Sequence, residues 1–205
     1  MAAPQHHAQA EQFLSKLDAD WARLIDTVGF CQLEPKPQRE PYQALVRAVA
    51  YQQLHPKAGD AILTRLLALY QGEFPQPQQL LDTQFDALRA CGFSARKIET
   101  IQGIALSALS GMVPSYADAA SMTDDALIQH LTRLKGIGRW TVEMMLIFTL
   151  ERMDVLAADD YGLALGYQRL KKLENPPKPK ELAKIGEAWA PYRSIASWYL
   201  WRVPK

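Results

Sequence analysis

The chain has 205 residues, enough for one domain or two tightly joined lobes with a real core. Hydrophobic residues make up 48% and charged residues 22%, the ordinary balance of a soluble globular protein, and the formal net charge is only +1. No apolar run reaches the roughly 18 residues needed to cross a bilayer. Met1 to Ala10 lacks a basic stretch followed by an apolar core, so it does not read as a secretory signal, and the cytoplasm is the expected address.

Cys31 and Cys91 are the only cysteines, and neither stands in a CxxC pair. His6, His7, His55 and His130 do not complete a tetrahedral site around them. An iron–sulfur cluster, which takes about four thiolates, is excluded within this chain. The charge is unevenly placed. Residues 169–205 hold nine Lys/Arg against three Asp/Glu, whereas residues 1–168 hold fourteen against nineteen. A basic C-terminal end can form a phosphate-binding face, or it can be a set of solvated helix surfaces.

Ala and Leu together number 55 against 17 for Val plus Ile, a bias toward helix, and no run alternates with period two. The first predicted helix, Glu11 to Val28, carries Phe13, Leu14, Leu17, Trp21, Leu24 and Ile25 on one face. Glu34 to Glu40 is a proline-broken linker. Helices follow from Tyr42 to about Gln53 and from Pro56, a favourable first-turn residue, to Tyr70. Short helices are expected over 78–82 and 86–90. Ser94 caps a helix to about Leu109, closed by Gly111, and Thr123 caps another after a short piece over 116–120. One helix ends near Leu134 and the next begins near Gly138. Asp160 opens a further helix, and the last two cover about 180–189 and 192–202.

The most informative stretch is Leu134-Lys135-Gly136-Ile137-Gly138-Arg139-Trp140-Thr141. A Gly-Ile-Gly turn between helices leaves backbone N–H groups unpaired at the start of the second helix, and the glycines remove side chains that would block a ligand. Such a turn accepts a DNA phosphate without reading base sequence. Lys135 and Arg139 add positive charge, and Thr141 can offer its hydroxyl or bond back into its own helix.

This stretch resembles the helix-hairpin-helix DNA-binding motif. Some twenty residues later stands Ala157-Ala158-Asp159-Asp160-Tyr161-Gly162-Leu163. That spacing resembles the helix-hairpin-helix-GPD superfamily of DNA glycosylases, and within it the alkylpurine branch. Tyr51-Gln52-Gln53-Leu54-His55 is similar to the branch's minor-groove segment. The run from Trp189 through Arg202 is similar to its C-terminal helix. The resemblance covers about residues 40–204 and leaves no room for an extra N-terminal β-domain.

The resemblance implies an all-α fold of two helical lobes with the active-site cleft between them. Residues 40–175 are expected in the lobe with the hairpin (131–150), and 1–39 with 176–205 in the second. It implies a monomeric, cytoplasmic enzyme of base excision repair, nucleoid-associated in a bacterial host, that acts on double-stranded DNA with alkylated bases and not at a membrane. The expected products are 3-methyladenine or 7-methylguanine and an abasic site.

Asp160 is the implied catalytic residue. By composition alone it could equally be a helix N-cap, and Asp159 has the same claim to that role. Cleaving an N-glycosidic bond builds positive charge on the sugar, which a nearby carboxylate stabilises while it orients or deprotonates water. Bifunctional members of the superfamily carry a lysine where Trp140 stands, and indole has no nucleophilic amine, so no lyase step is expected.

Trp140 and Trp201 match the family's base-pocket aromatics, with Tyr161 and Met144 as further candidates. Stacking an electron-poor base on such rings adds cation–π attraction of about 1–2 kcal/mol. Gln53 aligns with the side chain that fills the gap left by a flipped base, Leu54 is the alternative wedge, and His55 lies beside it. Lys135, Gly136, Ile137, Gly138, Arg139 and Thr141 are the expected phosphate contacts. No cofactor is required, and the resemblance implies a Na+ or K+ held by backbone carbonyls near Thr132, Leu134 and Ile137. A competing reading from the residues is a non-catalytic helix-hairpin-helix DNA-binding protein, which would not need Asp160, Trp140 and Trp201 in register.

Overall fold

The computed structural model describes residues 3–34, 36 and 38–204; within the proline-broken linker, residues 35 and 37 lie outside that set. Among the described residues every regular element is helical, as the composition predicts. Residues Met1–Pro35 and Glu151–Lys205 form one compact unit, and Lys36–Leu150 form another.

In chain order the α-helices are α1 (Ala3–Ser15), α2 (Ala19–Val28), α3 (Pro41–Tyr51), α4 (Pro56–Ala68), α5 (Pro77–Asp82), α6 (Phe85–Cys91), α7 (Ala95–Leu109), α8 (Tyr116–Ser121), α9 (Asp124–Leu131), α10 (Arg139–Phe148), α11 (Tyr161–Lys171), α12 (Pro179–Ile185) and α13 (Arg193–Leu200). A 3-10 turn over 186–189 sits between the last two.

Two expectations are corrected. The single helix predicted over 11–28 is two helices, because the Asp18 carboxylate accepts the N–H groups of Asp20 at 2.9 Å and Trp21 at 3.2 Å and starts α2 afresh. The segment 151–175, expected with the hairpin, packs instead with the terminal segments. Its helix α11 lies against α2 and α13, and Lys171 at its end bridges Asp18 at 2.7 Å and Asp20 at 2.9 Å.

The unit built from 36–150 is organised on α3, which is buried along most of its length against α4, α7 and α10. Proline opens α3, α4 and α5, where its missing N–H costs nothing. Hydroxyls of Ser94, Ser115 and Thr123 cap α7, α8 and α9. Gly59 lets α4 lie on α3, since a Cβ there would stand 2.2 Å from the Tyr51 ring. The chain enters and leaves this unit side by side, with Lys36 N–H bonded to the Phe148 carbonyl at 2.8 Å.

In the other unit Trp21 and Trp189 meet edge to face at 5.5 Å, both essentially buried. An aromatic pair of this kind adds about 0.5–1.5 kcal/mol beyond the burial of its area. A close helix contact lies at Gly166 on α11, where a Cβ would stand 2.1 Å from the Leu200 carbonyl oxygen of α13.

That contact generates a paired prediction. Gly166→Ala gains helix propensity of about 1 kcal/mol. It also forces two backbones apart, and overpacking typically costs about 1–3 kcal/mol. The net effect is a melting temperature lowered by several degrees. Gly103→Ala on α7, where a Cβ meets nothing within 4 Å, gains propensity without the clash and raises it. Differential scanning calorimetry of the two variants checks both signs.

Candidate functional site

Asp160 begins α11 and is its N-cap. Its Oδ1 accepts the Leu163 N–H at 2.8 Å and the Trp201 indole Nε1–H at 3.2 Å. The first bond is capping geometry. The second is not needed for a cap, and it turns the carboxylate by a donor from just beyond the end of α13. Two converging N–H donors orient a carboxylate without neutralising it, the state that electrostatic stabilisation of a developing cation requires. Asp160 is half-buried.

Gly162 makes this arrangement possible. A Cβ at 162 would lie 2.9 Å from Asp160 Oδ1 and 3.4 Å from Trp201 Cδ1. Gly162 and Gly166 are four residues apart, hence on one face of α11. That spacing stands in the sequence as a sign of close helix approach, although sequence reasoning passed over it. Asp159 is exposed, and the capping role open to it falls to Asp160 instead.

Several neighbours are structural. The Arg193 guanidinium holds Asp154 through two bonds, Nε to Oδ1 at 2.7 Å and Nη2 to Oδ2 at 2.9 Å. The buried Ser194 hydroxyl donates to the Arg152 carbonyl at 2.6 Å and accepts the Val155 N–H at 3.1 Å. Trp198 is buried in the core under the Arg202 guanidinium, 3.8 Å from its ring centroid. Tyr161 is 68% exposed, so no enclosing wall surrounds its ring.

The hairpin lies in the other unit. After α9 the chain turns through 132–138, with the Ile137 N–H donating to the Leu134 carbonyl at 3.1 Å. Gly136 takes φ +84°, and a Cβ there would stand 2.2 Å from Thr100 Oγ1 of α7, so only glycine fits the seat of the turn. Gly138 is exposed and caps α10, and a Cβ there would meet nothing within 4 Å. The open start of a ten-residue helix thus faces outward.

Two hairpin side chains, those of Thr141 and Ile137, depart from the expected phosphate role. Thr141 is 1% exposed, and its Oγ1 accepts a hydrogen bond from Gln52 Nε2 at 2.9 Å, so its hydroxyl faces inward. Ile137 is a core side chain and can offer only backbone atoms. Arg139 Nε is bound at 2.8 Å to Glu143, whose side chain is 3% exposed, which steadies the partly exposed guanidinium. Lys135 is exposed and pairs with Glu99 at 3.2 Å, a surface contact of small energy. Glu143 and Gln52 both escaped sequence reasoning. The first is an acidic residue one helical turn after Arg139; the second has no local signal.

On α10, Trp140, Met144 and Phe148 are the half-exposed positions of a helix otherwise buried from 141 to 147. They form one stripe at four-residue spacing. Gln53, which follows α3, is exposed and holds φ +56°, a left-handed conformation rare for a non-glycine residue. Leu54 is 42% exposed. His55 is exposed and caps α4 by accepting the Lys57 N–H at Nδ1 (3.3 Å), which places the proton of the neutral ring on Nε2.

Among the described residues no group of three or more His, Cys, Asp or Glu could hold a metal, and no helix is long and apolar enough to cross a membrane.

An all-helical chain with a Gly-Ile-Gly hairpin and, some twenty residues on, a helix-capping aspartate turned by a tryptophan defines a helix-hairpin-helix protein of the base-excision class. Residues 46–191 match the family described as HhH-GPD superfamily base excision DNA repair protein, and the chain belongs to that family. It is 45% identical over 199 residues to DNA-3-methyladenine glycosylase 1 of Schizosaccharomyces pombe, spanning 96% of this chain and 87% of that protein. The structure of the S. pombe 3-methyladenine DNA glycosylase in complex with abasic DNA superposes with TM-score 0.90 over 95% of both chains. A DNA-3-methyladenine glycosidase from Bacillus halodurans, 36% identical, gives TM-score 0.75 over 94% of this chain and 88% of that one.

The Asp160–Trp201 bond has a direct readout. In 1H–15N spectra the Trp201 indole resonance moves upfield in Asp160→Ala, which has no acceptor, and stays near its wild-type position in Asp160→Asn, which keeps one. An indole signal unmoved by Asp160→Ala shows that the bond does not form in solution.

Proposed function

We propose that this protein is a monofunctional DNA glycosylase of base excision repair that hydrolyses the N-glycosidic bond of 3-methyladenine and 7-methylguanine in duplex DNA. The observation that carries this reading is the Asp160 carboxylate, held by Leu163 N–H and Trp201 Nε1–H, at the position to which the resemblance assigns catalysis.

An alkylated purine carries positive charge, so when the C1′–N bond breaks its electron pair leaves with a base that becomes neutral. The deoxyribose is left with oxocarbenium character. The Asp160 carboxylate stabilises that charge, and water adds at C1′ after giving a proton to the carboxylate or to solvent. The products are the free base and an abasic site. A single carboxylate suffices because the leaving group needs little acid assistance, unlike the paired acids of sugar glycosidases. Trp140 offers no amine, so the strand is released unbroken.

The half-exposed stripe of Trp140 and Met144 supplies a polarizable surface for a cationic base. The open N-terminus of α10 at Gly138, with Lys135 and Arg139 nearby, takes a backbone phosphate. Gln53 enters the stack beside the lesion, with Leu54 and His55 in the minor groove. The protein acts as a monomer on cytoplasmic, chromosomal DNA. The resemblance also implies a Na+ or K+ on the carbonyls of Thr132, Leu134 and Ile137, hard oxygen ligands of the kind such a cation takes. Such an ion would add positive charge beside the phosphate.

Asp160→Asn keeps an oxygen to accept both N–H bonds and a good N-cap, so the fold is retained. Base release from methylated duplex, measured by chromatography of the free bases, falls at least a hundredfold, while affinity for abasic DNA stays within a few-fold. Turnover at the wild-type rate removes the mechanism. Gly138→Asp has room for its side chain and adds a capping carboxylate, so the melting temperature holds or rises. Its affinity for any duplex falls on the order of tenfold at moderate salt, because the carboxylate stands where a phosphate docks. Unchanged affinity removes the hairpin from the DNA interface.

A further inference from the structure

The last two residues of α3 and the C-cap that follows them, Gln52, are each tied to a different element of their unit. The Ala50 carbonyl accepts from Lys97 Nζ of α7 at 2.9 Å, and burial holds that ammonium's pKa below its usual value. The Tyr51 hydroxyl bonds the Asp60 carboxylate of α4. Gln52 reaches the hairpin, where Nε2 donates to the Gly136 carbonyl at 3.2 Å and to Thr141 Oγ1 at 2.9 Å. The next residue is Gln53, with its left-handed backbone.

The Gln52 amide therefore uses both hydrogens of one nitrogen, one on the turn of the hairpin and one on the first turn of α10. The two acceptors lie on either side of Gly138. A primary amide provides two N–H bonds about 120° apart from one atom, and neither a carboxylate nor a thioether can replace it. The bond to Thr141 also explains why that hydroxyl faces inward.

We propose that Gln52 is a positioning residue that sets the register between the phosphate-gripping hairpin and the segment Gln53–His55. The grip on the strand then places the inserted side chain at the right base step. This rests on the DNA contacts read above for the hairpin and for Gln53. A displacement of about 1 Å between the two would leave each able to touch DNA but not both at one lesion.

The test is a double-mutant cycle on the full chain. Gln52→Met keeps the volume and loses both donors; Gln52→Glu keeps the shape and loses them as well, so one of the two can be read even if the other folds poorly. Each is measured alone and combined with Gln53→Ala, for affinity to a duplex with a tetrahydrofuran abasic-site analogue and to the same duplex undamaged. Thermal melts are recorded alongside. The expected result is a loss of about tenfold on the abasic-analogue duplex with less than about twofold on undamaged DNA. Gln53→Ala then costs little in the Gln52→Met background, because the wedge is already out of register.

Equal losses on both duplexes, or additive effects of the two substitutions, overturn the positioning role. Gly138→Asp and Gln53→Ala run as controls. If neither changes affinity for the abasic-analogue duplex, the DNA-contact reading itself is overturned and the proposal with it. If both weaken binding while Gln52→Met behaves additively, only the assignment of Gln52 is lost.

Discussion

The Trp201 indole can reach the Asp160 carboxylate only because α11 carries no side chain at positions 162 and 166. At Gly166 the backbone of α13 comes so near that a single methyl group would overlap the Leu200 carbonyl. At Gly162 the same closeness brings the indole edge against the carboxylate. One helix-packing constraint thus governs the orientation of the residue proposed for catalysis. An N-cap alone would fix the position of Asp160; the second donor also fixes its rotation, which is the preorganisation that lets a fixed charge act on a transient cation without rearranging.

The hairpin follows a different economy. Gly136 is required by a left-handed turn seated on Thr100, whereas Gly138 sits in ordinary backbone with open space around it. The first glycine serves the fold and the second serves access. Arg139 likewise has two tasks. Its guanidinium holds Oε1 of the buried Glu143 carboxylate, a charge that would be costly to leave unpaired, and the same bond limits where its exposed edge can point. Lys135, by contrast, is tied only by an exposed pair with Glu99, a contact of small energy.

The five tryptophans divide by burial. Trp21, Trp189 and Trp198 are buried, two of them packed edge to face. Trp140 and Trp201 remain half-exposed, one on the open stripe of α10 and one beside Asp160. Indole buries a large apolar area but carries one obligatory donor, so its environment decides whether it acts as filler, stacking surface or hydrogen-bond donor.

The helices were legible because proline, serine, threonine and glycine mark their ends through local backbone chemistry, and the Gly-Ile-Gly turn and the Asp160 region were legible because their spacing is a property of the chain. The break at Asp18 was missed because an apolar face that runs on at helical spacing hides a cap. The sequence alone therefore determined an all-helical fold, its punctuation and the family its motifs resemble. Tertiary structure decided that 151–175 packs with the chain ends, that the Thr141 hydroxyl turns inward, and that Gln52 and Trp201 act through partners. Capping and turn preferences are set by neighbours in the chain, whereas a hydrogen bond between residues 52 and 136, or 160 and 201, exists only after helices far apart in sequence have packed.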